Sequence, residues 1–125
     1  MRARPVLLLA VAVAASAAAG RAAHASPLCI KERTPFAFSN DTVKWTMSIA
    51  PGAECIQGLR WSYMQIFNVS VVSGPSRGQL AVVGSGFRYS AENQTRGTDK
   101  FTLLISGKNG HHAGTSTLEV EVNPQ

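Results

Sequence analysis

From about residue 36 onward, the chain consists of short segments in which apolar residues recur at every second position. The clearest segment is 42–49, where Val43, Trp45, Met47 and Ile49 share one parity and polar residues hold the other. This period places one face of a β-strand in a core and leaves the other face in water. The segment therefore predicts a half-buried strand, and no later part of the chain has a helical period.

Six further segments carry strand signals and are separated by turn residues. They are 36–38, 59–72, 80–83, 87–90, 100–106 and 115–122. The turn Gly84-Ser85-Gly86 predicts an antiparallel hairpin between 80–83 and 87–90, and the loop 107–114 joins the last two segments. The length of 59–72 predicts a bent or bulged strand. Its inward face is assigned to Leu59, Trp61, Tyr63, Phe67, Val69 and Val71.

About seven short strands with frequent turns favour an all-β fold, an antiparallel immunoglobulin-like (Ig-like) β-sandwich. A chain of this length buries one core, so residues 26–125 are predicted to form a single domain. The Cys…Trp…Cys spacing of antibody domains is absent, because the second cysteine precedes the long strand.

Residues 1–25 have the composition of a secretory signal peptide. Arg2 and Arg4 precede an apolar stretch over 6–19, and Ala23 and Ala25 supply the small side chains that a signal peptidase accepts. The apolar stretch is shorter than the roughly 20 residues that a transmembrane helix needs. We therefore expect cleavage before Ser26, no membrane span in the mature chain, and a periplasmic or secreted location.

The positive charge of the chain is concentrated in this leader. After residue 25, nine basic residues face seven acidic residues, and the basic residues are scattered singly. Proteins that bind nucleic acid present a clustered basic surface. The sequence therefore predicts no nucleic-acid partner.

Cys29 and Cys55 are the two cysteines of the chain, and both lie in the mature part. An even number of cysteines in an exported chain of this size predicts one disulfide bond. This disulfide would tether the N-terminal segment at an edge of the sandwich and not join one sheet to the other. Reactive or metal-binding thiols are the alternative.

Four linked motifs occupy the C-terminal half of the chain. They are Gly74-Pro75-Ser76-Arg77-Gly78-Gln79-Leu80, Gly86-Phe87-Arg88-Tyr89, Gly97-Thr98-Asp99-Lys100-Phe101-Thr102 and Val120-Glu121-Val122. In these motifs the chain resembles the bacterial Ig-like and cadherin-like (VCBS-type) repeat domains. Thr95-Arg96 stand where that family usually has an aromatic residue, and Ser106-Gly107-Lys108 where it often has Asp-Gly. The resemblance implies a fold and an extracytoplasmic setting, with no activity attached.

Asp99 lies at the start of a predicted strand within these motifs. We expect its carboxylate to accept hydrogen bonds from backbone N–H groups of a turn, and Phe101 to meet Tyr89 across the core. A weak calcium site is the alternative. Such a site needs several oxygen ligands, whereas the acidic residues of the mature chain are dispersed.

His111 and His112 lie in a glycine-flanked loop without a nearby cysteine or acid. Adjacent side chains usually point apart, so chelation of a metal by the pair is unfavourable. A Ser-His-Asp set could be combined on paper from these histidines with Asp41 or Asp99, but no nucleophile motif selects one. The sequence therefore predicts no catalytic residues, cofactor or metal. A small secreted hydrolase, or a metal-binding protein that uses His111 or His112, is the alternative.

The strand 59–72 carries apolar residues of both parities, more than one core face can bury. Trp61, Met64 and Ile66 are therefore the candidate partner-binding residues, since exposed apolar patches mark interaction sites. Coverage of this strand by the N-terminal segment, with Phe36 and Phe38, is the alternative. The predicted function is that of an exported, non-catalytic Ig-like module, structural or binding another extracytoplasmic protein.

Overall fold

The computed structural model describes residues 29–94 and 97–125 of the chain, so the predicted signal peptide and its cleavage site lie outside the described residues. This part of the chain forms eight strands and no helix, and hence has no helix that could span a membrane. The strands are β1 (Ile30–Arg33), β2 (Asp41–Ile49), β3 (Glu54–Gly58), β4 (Gln65–Ser73), β5 (Gln79–Val83), β6 (Gly86–Ser90), β7 (Asp99–Asn109) and β8 (His112–Pro124).

The strands form two sheets that pack as a sandwich. The larger sheet has the order β1-β2-β8-β7-β4, and the smaller sheet has the order β3-β6-β5. When β2 is counted as the first strand of an Ig-like sandwich, β3, β6 and β5 are its second, fifth and fourth strands. They face β4, β7 and β8, the third, sixth and seventh strands, which is the Ig-like arrangement. All pairs are antiparallel except β2 and β8, which run parallel from Asp41 beside Ser116 to Ile49 beside Pro124. The predicted Ig-like sandwich is thus confirmed, with one parallel pair added.

The segments with unbroken alternation fold as predicted. In β2, Trp45, Met47 and Ile49 are buried as their shared parity requires. β5 pairs with β6, and β7 with β8, as antiparallel hairpins. The second hairpin is longer than expected, because both strands continue to a tight turn at Gly110 and His111 where the sequence predicted an eight-residue loop.

Three other expectations were wrong. Residues 36–38 form no strand, and β1 and β3 were not predicted. The segment 59–72 is not one strand, since residues 59–64 form a loop between β3 and β4. Within that loop Ser62 adopts a left-handed backbone (φ 57°), which reverses the direction of the chain and ends the assumed parity. Tyr63, Phe67 and Val71 are exposed, although all three were assigned to the inward face.

Aromatic side chains from both sheets build the core between them. Phe101 of β7 contacts Phe87 edge-on at 5.2 Å between ring centroids and stacks on Tyr89 at 5.8 Å, both from β6. The expected meeting of Phe101 with Tyr89 is confirmed. The fully buried side chains also include Phe38, Trp45, Met47, Leu59, Met64, Leu103, Ile105, Leu118 and Val120.

The predicted disulfide between Cys29 and Cys55 is present, with 6.2 Å between the two Cα atoms. Cys29 directly precedes β1, and its carbonyl accepts a hydrogen bond from the N–H of Ser48 in β2. Cys55 lies in β3, the edge strand of the other sheet. The bond therefore tethers the N-terminal edge as expected, but it also joins the two sheets, which the sequence interpretation had excluded.

Replacing both cysteines (Cys29→Ala with Cys55→Ala) should lower the free energy of unfolding by about 3 kcal/mol, because the 26-residue loop is no longer closed in the unfolded chain. Urea unfolding followed by tryptophan fluorescence measures this change. The unmodified chain with a reductant is the matched control, since it loses the bond but keeps both sulfur atoms. A fall below about 1 kcal/mol in both samples would contradict this role for the bond.

Candidate functional site

Two of the three predicted partner-binding residues are half-buried and the third is in the core. Met64 is 1% exposed, while Trp61 and Ile66 pack partly against the core. The loop 59–64 turns Met64 inward, and its N–H bonds to the carbonyl of Trp61 at 3.3 Å. Met64 is therefore not available to a partner, and an interaction surface here has to be built from other residues.

The N-terminal segment covers Trp61, as the alternative interpretation proposed. The ring of Phe36 stacks on Trp61 at 5.8 Å between centroids. The guanidinium of Arg33 lies 4.8 Å from the centre of the Trp61 ring and 5.2 Å from that of Trp45. These cation–π and stacking contacts fix the segment before β2 against the loop.

Exposed apolar side chains are concentrated on one side of the sandwich. In the described part of the chain eight large hydrophobic residues are exposed, and six of these lie on β4, β5 and the neighbouring strand β7. The six are Phe67, Val71, Val72, Val82, Val83 and Leu104. We call this set the open edge. Phe67 and Val72 are its most exposed members, each at 61%.

The strands of the open edge differ in charge from those on the opposite side. β4 and β5 are the edge strands of their sheets and contain no charged residue. On the other side, β1 has the sequence Ile-Lys-Glu-Arg, and the disulfide fastens it to β3. Natural edge strands are usually protected by charges or by a covering element, because their unpaired backbone groups can bind another strand. The open edge lacks these charges.

Two bulges shape β4. Its register with β7 shifts between Ile66 and Asn68 and again between Val71 and Ser73. The extra residues are Phe67 and Val72, the most exposed of the large apolar residues on the strand. Bulges re-aim side chains and are common next to functional sites. The sequence carries one signal for this surface, the adjacent pairs Val71-Val72 and Val82-Val83. In a regular strand the two residues of such a pair point to opposite faces, so one of them points away from the core.

Comparison with known proteins gives no family. Neither the models of known protein families nor the curated proteins match this chain.

The motifs of the C-terminal half come together around Asp99, which is 2% exposed. Its carboxylate accepts hydrogen bonds from the N–H groups of Ser76 (2.8 Å), Arg77 (3.1 Å) and Gly78 (2.9 Å), and from the Tyr89 hydroxyl (2.7 Å). A side chain at position 78 would collide with Tyr89, so only glycine lets the turn approach this closely. Asp99 therefore caps a turn, as the sequence predicted, but this turn is the one before β5 and not the entry to its own strand.

Burial and hydrogen bonds together set the pKa values of Asp99 and Tyr89. Burial alone would raise the pKa of Asp99, but the bonds from Gly78, Tyr89, Ser76 and Arg77 together hold that pKa below its ordinary value. Burial raises the pKa of the Tyr89 hydroxyl, and its bond to the Asp99 carboxylate raises it further. At neutral pH the buried, ionised carboxylate of Asp99 thus accepts a hydrogen bond from the neutral phenol of Tyr89.

Asp99→Asn should lower the free energy of unfolding at pH 7 by about 3 kcal/mol, because an amide N–H₂ replaces an acceptor that faces backbone donors. Since the folded pKa lies below the unfolded value of about 3.9, this stabilisation is complete above that pH and is lost as pH falls through the folded pKa. The difference between the variant and the unchanged chain should therefore shrink below about pH 4.

Glu119→Gln is the matched control for this measurement, because it removes the same charge from an exposed position on β8. We expect it to change stability by less than about 0.5 kcal/mol across the same pH range. Chemical denaturation at several pH values measures both variants. A loss of unfolding free energy for Asp99→Asn that equals the loss for Glu119→Gln, or that does not vary with pH, would contradict the capping role of the Asp99 carboxylate.

A second polar cluster lies at the opposite end of the sandwich. The Ser116 hydroxyl donates to Asp41 (2.6 Å) and accepts from the N–H of Phe38 (2.9 Å). The ring nitrogen Nε2 of His112 lies 2.8 Å from the Phe38 carbonyl oxygen. The serine and the aspartate are in direct contact, and the histidine bonds to the backbone instead of standing between them.

The Asp41 carboxylate, like that of Asp99, accepts several hydrogen bonds from its neighbours. Its carboxylate also accepts from the N–H groups of Ala37 (3.0 Å) and Ser39 (3.1 Å). Burial raises its pKa, but the bonds from Ser116, Ala37 and Ser39 outweigh burial, so the pKa lies below the ordinary value. The cluster thus caps the loop before β2, where Phe38 and Asn40 have left-handed backbones.

A groove of about 370 Å³ lies on the outer face of the larger sheet. Lys44 lies beside Glu119 in the register of the sheet, and Lys100 lies beside Glu121. The groove therefore carries two charges of each sign and selects no ion of one sign. Across residues 29–94 and 97–125, no group of three or more histidine, cysteine or acidic residues is placed to hold a metal ion.

Proposed function

We propose that the chain is an exported, non-catalytic Ig-like module that binds another extracytoplasmic protein through the open edge. The observation that carries the proposal is the concentration of exposed apolar side chains on the uncharged strands β4 and β5. Apolar patches of this kind mark interaction sites, and an unprotected edge strand offers backbone groups to a partner strand as well.

The proposal that the module is non-catalytic is supported by how its polar residues are used. Asp41 and Ser116 bond to each other and to the loop before β2, and Asp99 bonds to a turn and to Tyr89. His112 bonds to a backbone carbonyl, and hydrogen bonds hold the pKa of both Asp41 and Asp99 below its ordinary value. These contacts favour a binding module over a hydrolase or metal protein built on His111 or His112.

The extracytoplasmic setting is supported by three features. Disulfides persist in oxidising compartments, and the Cys29–Cys55 bond holds two sheets together. The N-terminal 25 residues have the composition of a signal peptide. The motifs around Asp99 resemble those of VCBS-type domains, which form extracytoplasmic modules, and this resemblance favours the same setting for the present chain.

A capture experiment tests the proposal. The chain, purified after export and biotinylated, is exposed to a cell-envelope extract of its own host, and bound proteins are identified by mass spectrometry. A Phe67→Ser/Val72→Ser variant should retain a partner at least about tenfold less, since truncating an anchor residue costs about 1–2 kcal/mol of binding. Both residues are largely exposed, so the melting temperature should change by no more than about 2 °C.

Ile56→Ser is the matched control for this experiment. Ile56 is 68% exposed on β3, at the other side of the sandwich, and its truncation removes a comparable apolar side chain from an edge strand. Capture by this variant should equal capture by the unchanged chain. Equal retention by all three proteins, or no protein retained on any of them, would refute the proposed binding function.

A further inference from the structure

We propose that β4 pairs edge to edge, in antiparallel orientation, with β4 of a second copy of this chain. The two larger sheets would then continue into one another around a two-fold axis. This inference rests on the proposed function, because it uses the same open edge and takes a second copy of the chain as the extracytoplasmic protein that binds there.

The free side of β4 defines what can bind there. One side of the strand is paired with β7, and in the described part of the chain no strand pairs with the other side. The backbone N–H and C=O groups along that side point to solvent, over a strand of nine residues or roughly 30 Å. An occupant that satisfies them is an extended strand, because only a strand repeats donors and acceptors at the same spacing.

Charge favours a second copy as that occupant. A two-fold axis beside an antiparallel strand pair places residues near the axis close to their own counterparts, so any charge there meets the same charge. β4 has no charged residue from Gln65 to Ser73. The nearest charges on its neighbour β7 are Lys108, beside Gln65, and Lys100, beyond Ser73. Both lie at the ends of β4, away from the axis.

The positions of the two bulges also fit two-fold pairing. They bracket a regular stretch from Asn68 to Val71, in which successive side chains alternate between the two faces of the sheet. A two-fold axis normal to the sheet places one residue opposite its own counterpart, so pairing centred on Ser70 places Val69 of one copy opposite Val71 of the second copy, and the reverse. Val71, which is 44% exposed, is thereby covered by the second copy.

The smaller sheet contributes to the same contact. β5 is its edge strand on the side of β4, since the disulfide links the opposite edges of the two sheets. A two-fold axis normal to the sheets relates β5 to its counterpart as well, which brings the exposed Val82 and Val83 of both copies together. One strand pair and one valine cluster make a small interface. We therefore expect a dissociation constant of about 1–100 µM.

Sedimentation equilibrium of the exported chain, from about 1 µM to 1 mM, tests the pairing. The mass should rise from that of a monomer to twice that value, and no further, because a two-fold contact is closed. Ser70→Lys should keep the chain monomeric, or weaken dimerisation at least about 30-fold. Ser70 is an exposed polar residue in the regular stretch of β4, so the variant leaves the core intact and places like charges across the axis.

Thr42→Lys is the matched control, because it adds the same charge at an exposed position of β2, three strands away in the same sheet. It should dimerise like the unchanged chain. Hydrogen exchange gives a second measurement. Amides of residues 65–73 should become more protected as the concentration of the unchanged chain rises, and those of Ser70→Lys should not.

A monomer at every concentration, growth beyond a dimer, or unchanged dimerisation of Ser70→Lys would each overturn the pairing. These outcomes are separate from the test of the proposed function. A monomeric chain that captures another protein, and loses it in the Phe67→Ser/Val72→Ser variant, would disprove the dimer and support the binding module.

Discussion

The carboxylate of Asp99 belongs to the larger sheet, but its hydrogen bonds come from Tyr89 in the smaller sheet and from the turn that connects β4 to β5. Without this buried acceptor, several backbone donors and a phenol would be desolvated and unpaired, which costs more than the bonds themselves contribute. The contact fixes where β5 begins. It thereby fixes the position of the edge strand beside β4, on which the open edge depends.

The two sides of the sandwich are closed by different means. On one side a covalent bond joins β1 to β3, and the exposed positions of β1 are charged. On the other side, β4 and β5 meet without a covalent link and carry valine and phenylalanine. In a domain of this size one disulfide can secure one side only. The other side is the one that we propose for binding a protein.

The strands with strict alternation could be predicted from the sequence, because β2, β7 and β8 bury every second residue against one core. β1 and β3 could not. Three of the four residues of β1 are charged, and β3 buries only Cys55, so their pairing depends on neighbours that a local pattern does not contain. The candidate site was displaced for a related reason. Ser62 adopts a backbone conformation that non-glycine residues rarely adopt, and this turned Met64 inward and Tyr63 outward.

The parallel pairing of β2 with β8 has a consequence for how the chain acquires its structure. Asp41 lies beside Ser116, and Ile49 beside Pro124, so the centre of the larger sheet joins segments from opposite ends of the domain. Contacts between such distant residues form late and slowly, because the intervening chain must be ordered first. During synthesis the sheet has no centre until the last strand has left the ribosome. That delay is compatible with the passage across a membrane before folding that we propose for this chain.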